Sequence, residues 1–286
     1  MATLCRDTDS VPKVVDAGSV MAAADGTRYQ IMHNGLKVLA DGYCGEWQTE
    51  LIRRCRGHHE PQEERVFHEI LTRLPANATM LELGGWWAFY SMWFLQGHPA
   101  RRAVVVEPDP QHRAVGEANA RLNASELTFV SGFVGATPAP ALPFRIETGE
   151  EIVVPRVTVP DLMRDHGIQT LDLLHCDTQG AELDVLNSCE ALLRDGRIRL
   201  LVLSTHHWLI SGDALTHQNC LERVISWGGH VIAEHDVHES FSGDGLIVAA
   251  FGPGATEFPP VPMSHNRYST SLFRNPLFDV AEYMRR

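Results

Sequence analysis

The stretch that decides the fold is Thr79-Met-Leu-Glu-Leu-Gly-Gly-Trp-Trp-Ala-Phe-Tyr-Ser91. A short β-prone run ends in Gly84-Gly85, and residues 87–96 continue with a helical pattern. Glycine tolerates backbone angles closed to other residues and lets main chain approach a ligand. Strand, glycine turn and helix together form the opening unit of a doubly wound sheet, whose ligands sit at the carboxyl ends of the strands. The alternation continues downstream, with strands over 103–107, 127–131, 171–176 and 199–204. Helices fall over 110–122, 181–194 and 214–227, and two last strands over 229–234 and 245–251. This pattern predicts a mostly parallel sheet. Only residues 239–244 join the last two strands, too few for a helix, so the final strand is expected to run antiparallel.

Outward from this core the signals weaken. Val66, Phe67, Ile70, Leu71 and Leu74 recur at helical spacing over 63–74, and Pro75 closes that helix. Asn34-Gly35 between two β-prone runs signals a hairpin. Residues 1–26 lack a firm period and are expected to be partly disordered. Residues 53–59 read as a polar connector with the His58-His59 pair in solvent. Pro138, Pro140 and Pro143 mark residues 136–160 as an irregular insertion containing a hairpin. The tail from Pro253 is Pro-rich and closes with a helical pattern over 278–284.

The composition, 44% hydrophobic and 21% charged over 286 residues, is that of a globular chain. A net charge of −12 argues against a sequence-independent nucleic-acid binder, which needs a basic footprint. Six scattered cysteines without a Cys-x-x-Cys pair point to a reducing, cytoplasmic setting. No signal peptide or membrane span is expected: the most apolar run, 86–95, is about half a span. The oligomeric state is not readable.

The ligand of the glycine turn can be narrowed. The next strand ends in Val106-Glu107-Pro108, which places a carboxylate to accept both hydroxyls of a ribose. Dinucleotide enzymes use the same pairing, so an NAD-dependent enzyme stays open on this feature. The Gly-x-Gly-x-x-Gly fingerprint is absent, however, and two tryptophans crowd the turn that a pyrophosphate needs. Glu82, just before the glycines, repels a pyrophosphate but suits the ammonium and sulfonium of S-adenosylmethionine.

Residues 82–91 resemble the first motif of FkbM-type methyltransferases: an acid, an apolar residue, Gly-Ala, then Gly-x-Tyr-Ser/Thr. Ala88 stands where that family has its last glycine. Leu171-Asp-Leu-Leu-His-Cys-Asp-Thr-Gln-Gly-Ala-Glu-Leu-Asp-Val-Leu186 resembles the family's Lys-x-Asp-x-Glu-Gly-x-Glu-x-x-x-Leu segment. Asp177, Gly180, Glu182 and Leu186 match, while His175 and Gln179 depart from it. Val159-Pro-Asp-Leu-Met resembles the preceding helix start. The resemblance implies a Rossmann-like methyltransferase fold: a mostly parallel seven-stranded sheet with an antiparallel last strand, plus an N-terminal β/α extension. It divides the chain into an extension over 1–60, a methyltransferase domain over 61–252 and a tail over 253–286. It also implies S-adenosylmethionine as cofactor and hydroxyls of sugars or natural products as acceptors. By position Glu82, Gly84, Gly85 and Tyr90 border the methionine part of the donor. Glu107 and Pro108 hold the ribose, Ser131-Gly132 flank the adenine, and Glu63 or Glu64 adds an upstream acid.

Methyl transfer to a hydroxyl benefits from a base and from alignment. Asp177, at the end of the fourth parallel strand, is placed to orient the acceptor or the donor's amino group. His206 and His207 follow the fifth strand, and a histidine is the natural base at neutral pH. Adjacent residues face opposite ways, and shared parity with Val202 favours His206. Gln179, His235 and His238 are candidates for the acceptor site. Asp177, His206, His235 and His238 could gather a divalent metal, but no compact ligand spacing supports one, and none is favoured. Transfer to nitrogen and a catalytically silent binding module remain alternatives to transfer to oxygen.

Overall fold

The computed structural model describes residues 1–266, 280, 281 and 283–285. Its central sheet has seven strands in the order β12-β13-β11-β10-β4-β5-β6. These are β4 (Thr79–Leu83), β5 (Arg102–Val106), β6 (Thr128–Val130), β10 (Leu173–Cys176), β11 (Leu200–Thr205), β12 (His230–His235) and β13 (Gly245–Ala250). Strands β11, β10, β4, β5 and β6 run parallel, and β13 runs antiparallel to both β11 and β12. The antiparallel last strand is therefore as expected, lying between β11 and β12.

Side chains alternate across this sheet and fill two cores. Leu81, Leu83, Val104, Val106, Leu174 and Cys176 face α5 (Val159–Asp165), α6 (Glu182–Arg194) and α8 (Thr216–Ser226). Met80, Ala103, Leu173 and Val202 face α2 (Pro61–Leu71) and α3 (Phe89–Leu95), whose Val66, Phe67, Ile70, Phe89 and Phe94 are fully buried. Even-numbered residues of β4 and β11 and odd-numbered ones of β10 thus share one face. That parity later gathers Glu82, His175 and Ser204 beside α2. The remaining helices are α4 (Pro110–Leu122), capped by Asp109, and the short α7 (Trp208–Ser211), whose first turn is capped by His207.

The structure corrects the reading of the first 60 residues. Residues 1–26, expected to be partly disordered, carry two 3-10 turns and β1 (Val20–Ala22), which joins β2 (Arg28–Ile31) and β3 (Lys37–Leu39) in a three-stranded sheet, and α1 (Glu46–Arg54) follows. The Asn34-Gly35 hairpin joins β2 to β3 as expected. On its other side β3 meets side chains of α4: Leu39 N donates to Asn119 Oδ1 and Lys37 N to Asn123 Oδ1. His58 and His59 are not in solvent but fully buried. Their polarity misled because Glu64, inside α2, supplies the partners: its carboxylate lies 2.5 Å from His58 Nδ1 and accepts from His59 N. The insertion is more regular than expected, with β8 (Ala139–Arg145) and β9 (Glu151–Val157) antiparallel and β7 (Phe133–Val134) beside β9. The helix expected over 278–284 lies largely outside the described residues. No helix of the described residues is long and apolar enough to cross a membrane.

Candidate active site

A cavity of about 590 Å³ opens at the carboxyl ends of β4, β5 and β10. A larger depression, about 940 Å³, lies at the amino ends of β4, β5 and β6, beside Thr79, Arg102 and Thr128. Ligands of doubly wound sheets bind at the carboxyl ends, so the smaller cavity is the candidate site. Its wall carries the predicted Glu82, Gly84, Gly85, Tyr90, Glu107, Pro108, Gly132, Asp177 and Gln179.

The glycine turn is shaped by contact between two backbones. Gly84 has φ +78°, and a Cβ there would stand 1.7 Å from the carbonyl oxygen of Asp177. The turns after β4 and β10 therefore touch main chain to main chain, and only glycine permits it. Ala88, where the resembled family has glycine, adopts φ +57°, a left-handed conformation that disfavours a Cβ. Ala88 therefore carries local strain that a glycine would not.

Glu107 is held ready by two backbone donors: Trp86 N to Oε2 at 3.0 Å and Asp109 N to Oε1 at 2.9 Å. Trp86 stacks on His112 with ring centroids 3.5 Å apart, next to this carboxylate. Glu82 accepts from Ser91 N in the first turn of α3, and burial pushes its carboxyl up to about 7. With Glu60, Glu107 and Asp177 on the same wall, the lining suits a cationic ligand bearing a ribose.

Two carboxylate–histidine pairs are built on β10 and on the residue that follows β11. Glu63 accepts from His175 Nε2 at 2.8 Å and from Ser204 Oγ at 2.9 Å, a meeting set by the strand parity described above. Glu63 itself is off the cavity wall and acts from behind His175. In the second pair His206 Nδ1 lies 2.5 Å from Glu182 Oε1. Its Nε2 lies 3.1 Å from Asp177 Oδ1 and 3.6 Å from Asp244 Oδ1. Burial alone lowers the pKa of His206, but Asp244, Asp177 and Glu182 outweigh it and hold the ring well above the ordinary histidine range. A ring so held favours the imidazolium, which has no lone pair free to accept a proton.

Other expected residues lie apart. Ser131 is exposed and off the cavity wall. His207 and His238 border a separate space of about 50 Å³, together with His206. His235 is buried, with Nδ1 donating to the carbonyl of Asp236. Neither His235 nor His238 lines the main cavity. Among the described residues, His33, His58 and Glu64 alone have a metal-like spacing. The two imidazoles are stacked, with centroids 4.1 Å apart and planes at 15°. Parallel rings cannot both aim in-plane lone pairs at one ion, so the group is read as two rings sharing a carboxylate.

Several wall residues went unpredicted: Tyr43, His59 and Glu60 from the extension, and Phe144 and Glu147 from the hairpin. Tyr43 stacks on Trp87 at 4.4 Å, and Tyr90 OH donates to Glu60 Oε2 at 3.1 Å. Asp244 was missed as well. The antiparallel turn of β13 was the available signal, because it pairs Gly245 with Thr205 and so brings Asp244 to the carboxyl end of β11.

Fold and site together define a class I methyltransferase, whose donor is S-adenosylmethionine. The model of the FkbM methyltransferase domain matches residues 77–227, just over half of the chain, and the chain belongs to that family. Among solved structures, the METTL16 methyltransferase domain is 11% identical, with a TM-score of 0.50 over 78% of this chain and 86% of that one. The precorrin-6y C5,15-methyltransferase of Geobacter metallireducens is 15% identical, with a TM-score of 0.45 over 66% and 87%. An O-methyltransferase of Bacillus cereus in complex with S-adenosylhomocysteine is 11% identical, with a TM-score of 0.42 over 67% and 80%. No protein with curated function matches the chain.

Proposed function

We propose that the protein methylates a hydroxyl of a small molecule, a sugar or natural product, with Asp177 as the group that orients and deprotonates it. The observation that carries this reading is the position of Asp177. It lies on the cavity wall, touches the glycine turn through its backbone, and faces His206 Nε2 at 3.1 Å. Bound S-adenosylmethionine supplies a methyl group on a cationic sulfonium. Glu107 is set to take the ribose hydroxyls and Glu82 the donor's ammonium. Glu182 fixes the His206 ring, and that ring in turn holds Asp177 in place. A proton leaving the acceptor then passes to Asp177, which stands in the cavity as His206 does not. Alignment supplies the larger part of the acceleration.

Transfer to an amine is the second reading, favoured by the carboxylates of Glu60, Glu82 and Asp177 on one wall. Methyl-labelled donor offered with panels of hydroxyl and amine acceptors separates the two. Label appearing only on amines rejects the hydroxyl reading. Full turnover by Asp177→Asn rejects the assigned role.

A further inference from the structure

The acidic cavity has to accept a ligand that carries a carboxylate as well as two positive groups, because the donor is an amino acid. Four described residues on its wall can be cationic: His59, His112, Arg145 and His175. Two are held by carboxylates and a third is exposed. His59 has Nδ1 at 2.8 Å from Glu64 and Nε2 at 3.0 Å from Glu60. His112 lies 3.1 Å from Glu147 and 3.7 Å from Glu107. Arg145 is exposed on β8, two residues from Glu147.

His175 differs. Glu63 claims only Nε2, and because Glu63 is also tied to Ser204, the ring is held in one orientation. Its Nδ1 has no hydrogen-bond partner, although the side chain is only 3% exposed. It stands opposite Glu82 in the β10–β4 register and two residues before Asp177, on the half of the cavity away from Glu107. Leaving a buried donor unmade is costly, so a ligand atom at that place is expected. We propose that His175 is the carboxylate receptor of the donor site, donating from Nδ1 to the α-carboxylate of S-adenosylmethionine. Burial pushes the ring's pKa down, but the Glu63 hydrogen bond and the charges of Glu63, Glu82 and Asp177 outweigh it and raise it, which favours the doubly protonated ring that this bond uses. The inference rests on the cavity being the donor site.

Calorimetry with two probes tests it. S-adenosylhomocysteine carries the carboxylate, whereas 5′-methylthioadenosine has the nucleoside and thioether without the amino acid. His175→Gln keeps an amide donor for Glu63 and loses the Nδ1 donor. It is expected to weaken S-adenosylhomocysteine by roughly tenfold to a hundredfold, the range of a charge-assisted hydrogen bond, and to leave methylthioadenosine within about threefold. Equal loss for both ligands, or no loss for S-adenosylhomocysteine, overturns the assignment. If His175→Gln lacks a cooperative thermal transition, Glu63→Gln replaces it, with the same selective loss expected at about threefold to tenfold. An equal change in both ligands with that variant also overturns it. Wild-type protein that binds neither probe rejects the donor-site reading, and this inference with it.

Discussion

Glu63–His175 and Glu182–His206 have the same chemistry and opposite uses. In each, a buried carboxylate grips one nitrogen of a buried imidazole. In the first the other nitrogen has no protein partner and the ring reaches the cavity wall. In the second the other nitrogen faces Asp177 and Asp244, and the ring stands behind the wall. The same pair therefore makes a ligand donor where carboxylates stop short, and a counter-charge where they continue around the ring. What surrounds the free nitrogen decides the role, and a motif of residue types does not record it.

The comparison is broken most strongly at Asp177. Asp177→Asn is expected to lower turnover by about a hundredfold to ten-thousandfold, the span of general-base catalysis, with S-adenosylhomocysteine affinity held within about threefold. His175→Gln should show the reverse emphasis, so a shared pattern in the two variants erases the distinction. Next comes His206→Gln, which leaves Glu182, Asp177 and Asp244 without their cation. Breaking one side of a buried charge cluster typically costs about 3–5 kcal/mol, read as a lower midpoint in chemical denaturation. A midpoint equal to wild type contradicts the counter-charge role.

Two smaller effects sharpen it through pH and backbone. Burial holds Glu82 at about 7, so below that value it is protonated and offers no charge to an ammonium. S-adenosylhomocysteine affinity should weaken by up to about tenfold per unit as pH falls below 7, and level off above it. The ligand-free protein runs the other way. Glu82 and Asp244 have folded values of about 7, above their ordinary 4.5 and 3.8. The stability they contribute is complete below about pH 4 and is lost as pH rises through 7. The loss between pH 5 and 8 should shrink in Glu82→Gln, and a melting profile unchanged by that substitution contradicts the raised carboxyl. Smallest of all, Ala88→Gly relieves a left-handed alanine but removes a buried methyl. The two terms are each about 1 kcal/mol, so the melting temperature should move by only a few degrees.

Much of the sheet was legible because it depends on local pattern. The β4 turn, the carboxylate ending β5 and the short link before β13 each lie within a few residues of their cause. Part of the cavity wall followed from those turns, with Glu82, Gly84 and Glu107 on it. The rest depends on distant pairing. His58 and His59 read as polar surface because nothing near them announces that Glu64 is buried with them. Tyr43 and Glu60 reach the cavity only when the extension packs on Trp87 and Tyr90. Asp244 looks like loop until β13 is seated beside β11. His206 was placed beside the right residues, but its charge state follows from three carboxylates that converge from separate elements.

The edge of β3 carries a consequence for how this chain is made. Its amides at Lys37 and Leu39 are met by Asn123 and Asn119 rather than by another strand. Unpaired strand edges recruit other chains, and these two amide side chains act as stoppers against such recruitment. They lie some 80 residues later in the sequence, so during synthesis the small N-terminal sheet emerges with its edge uncovered. Until α4 leaves the ribosome those amides are expected to stay open to other chains, and Asn119→Ala should leave one of them open in the finished molecule.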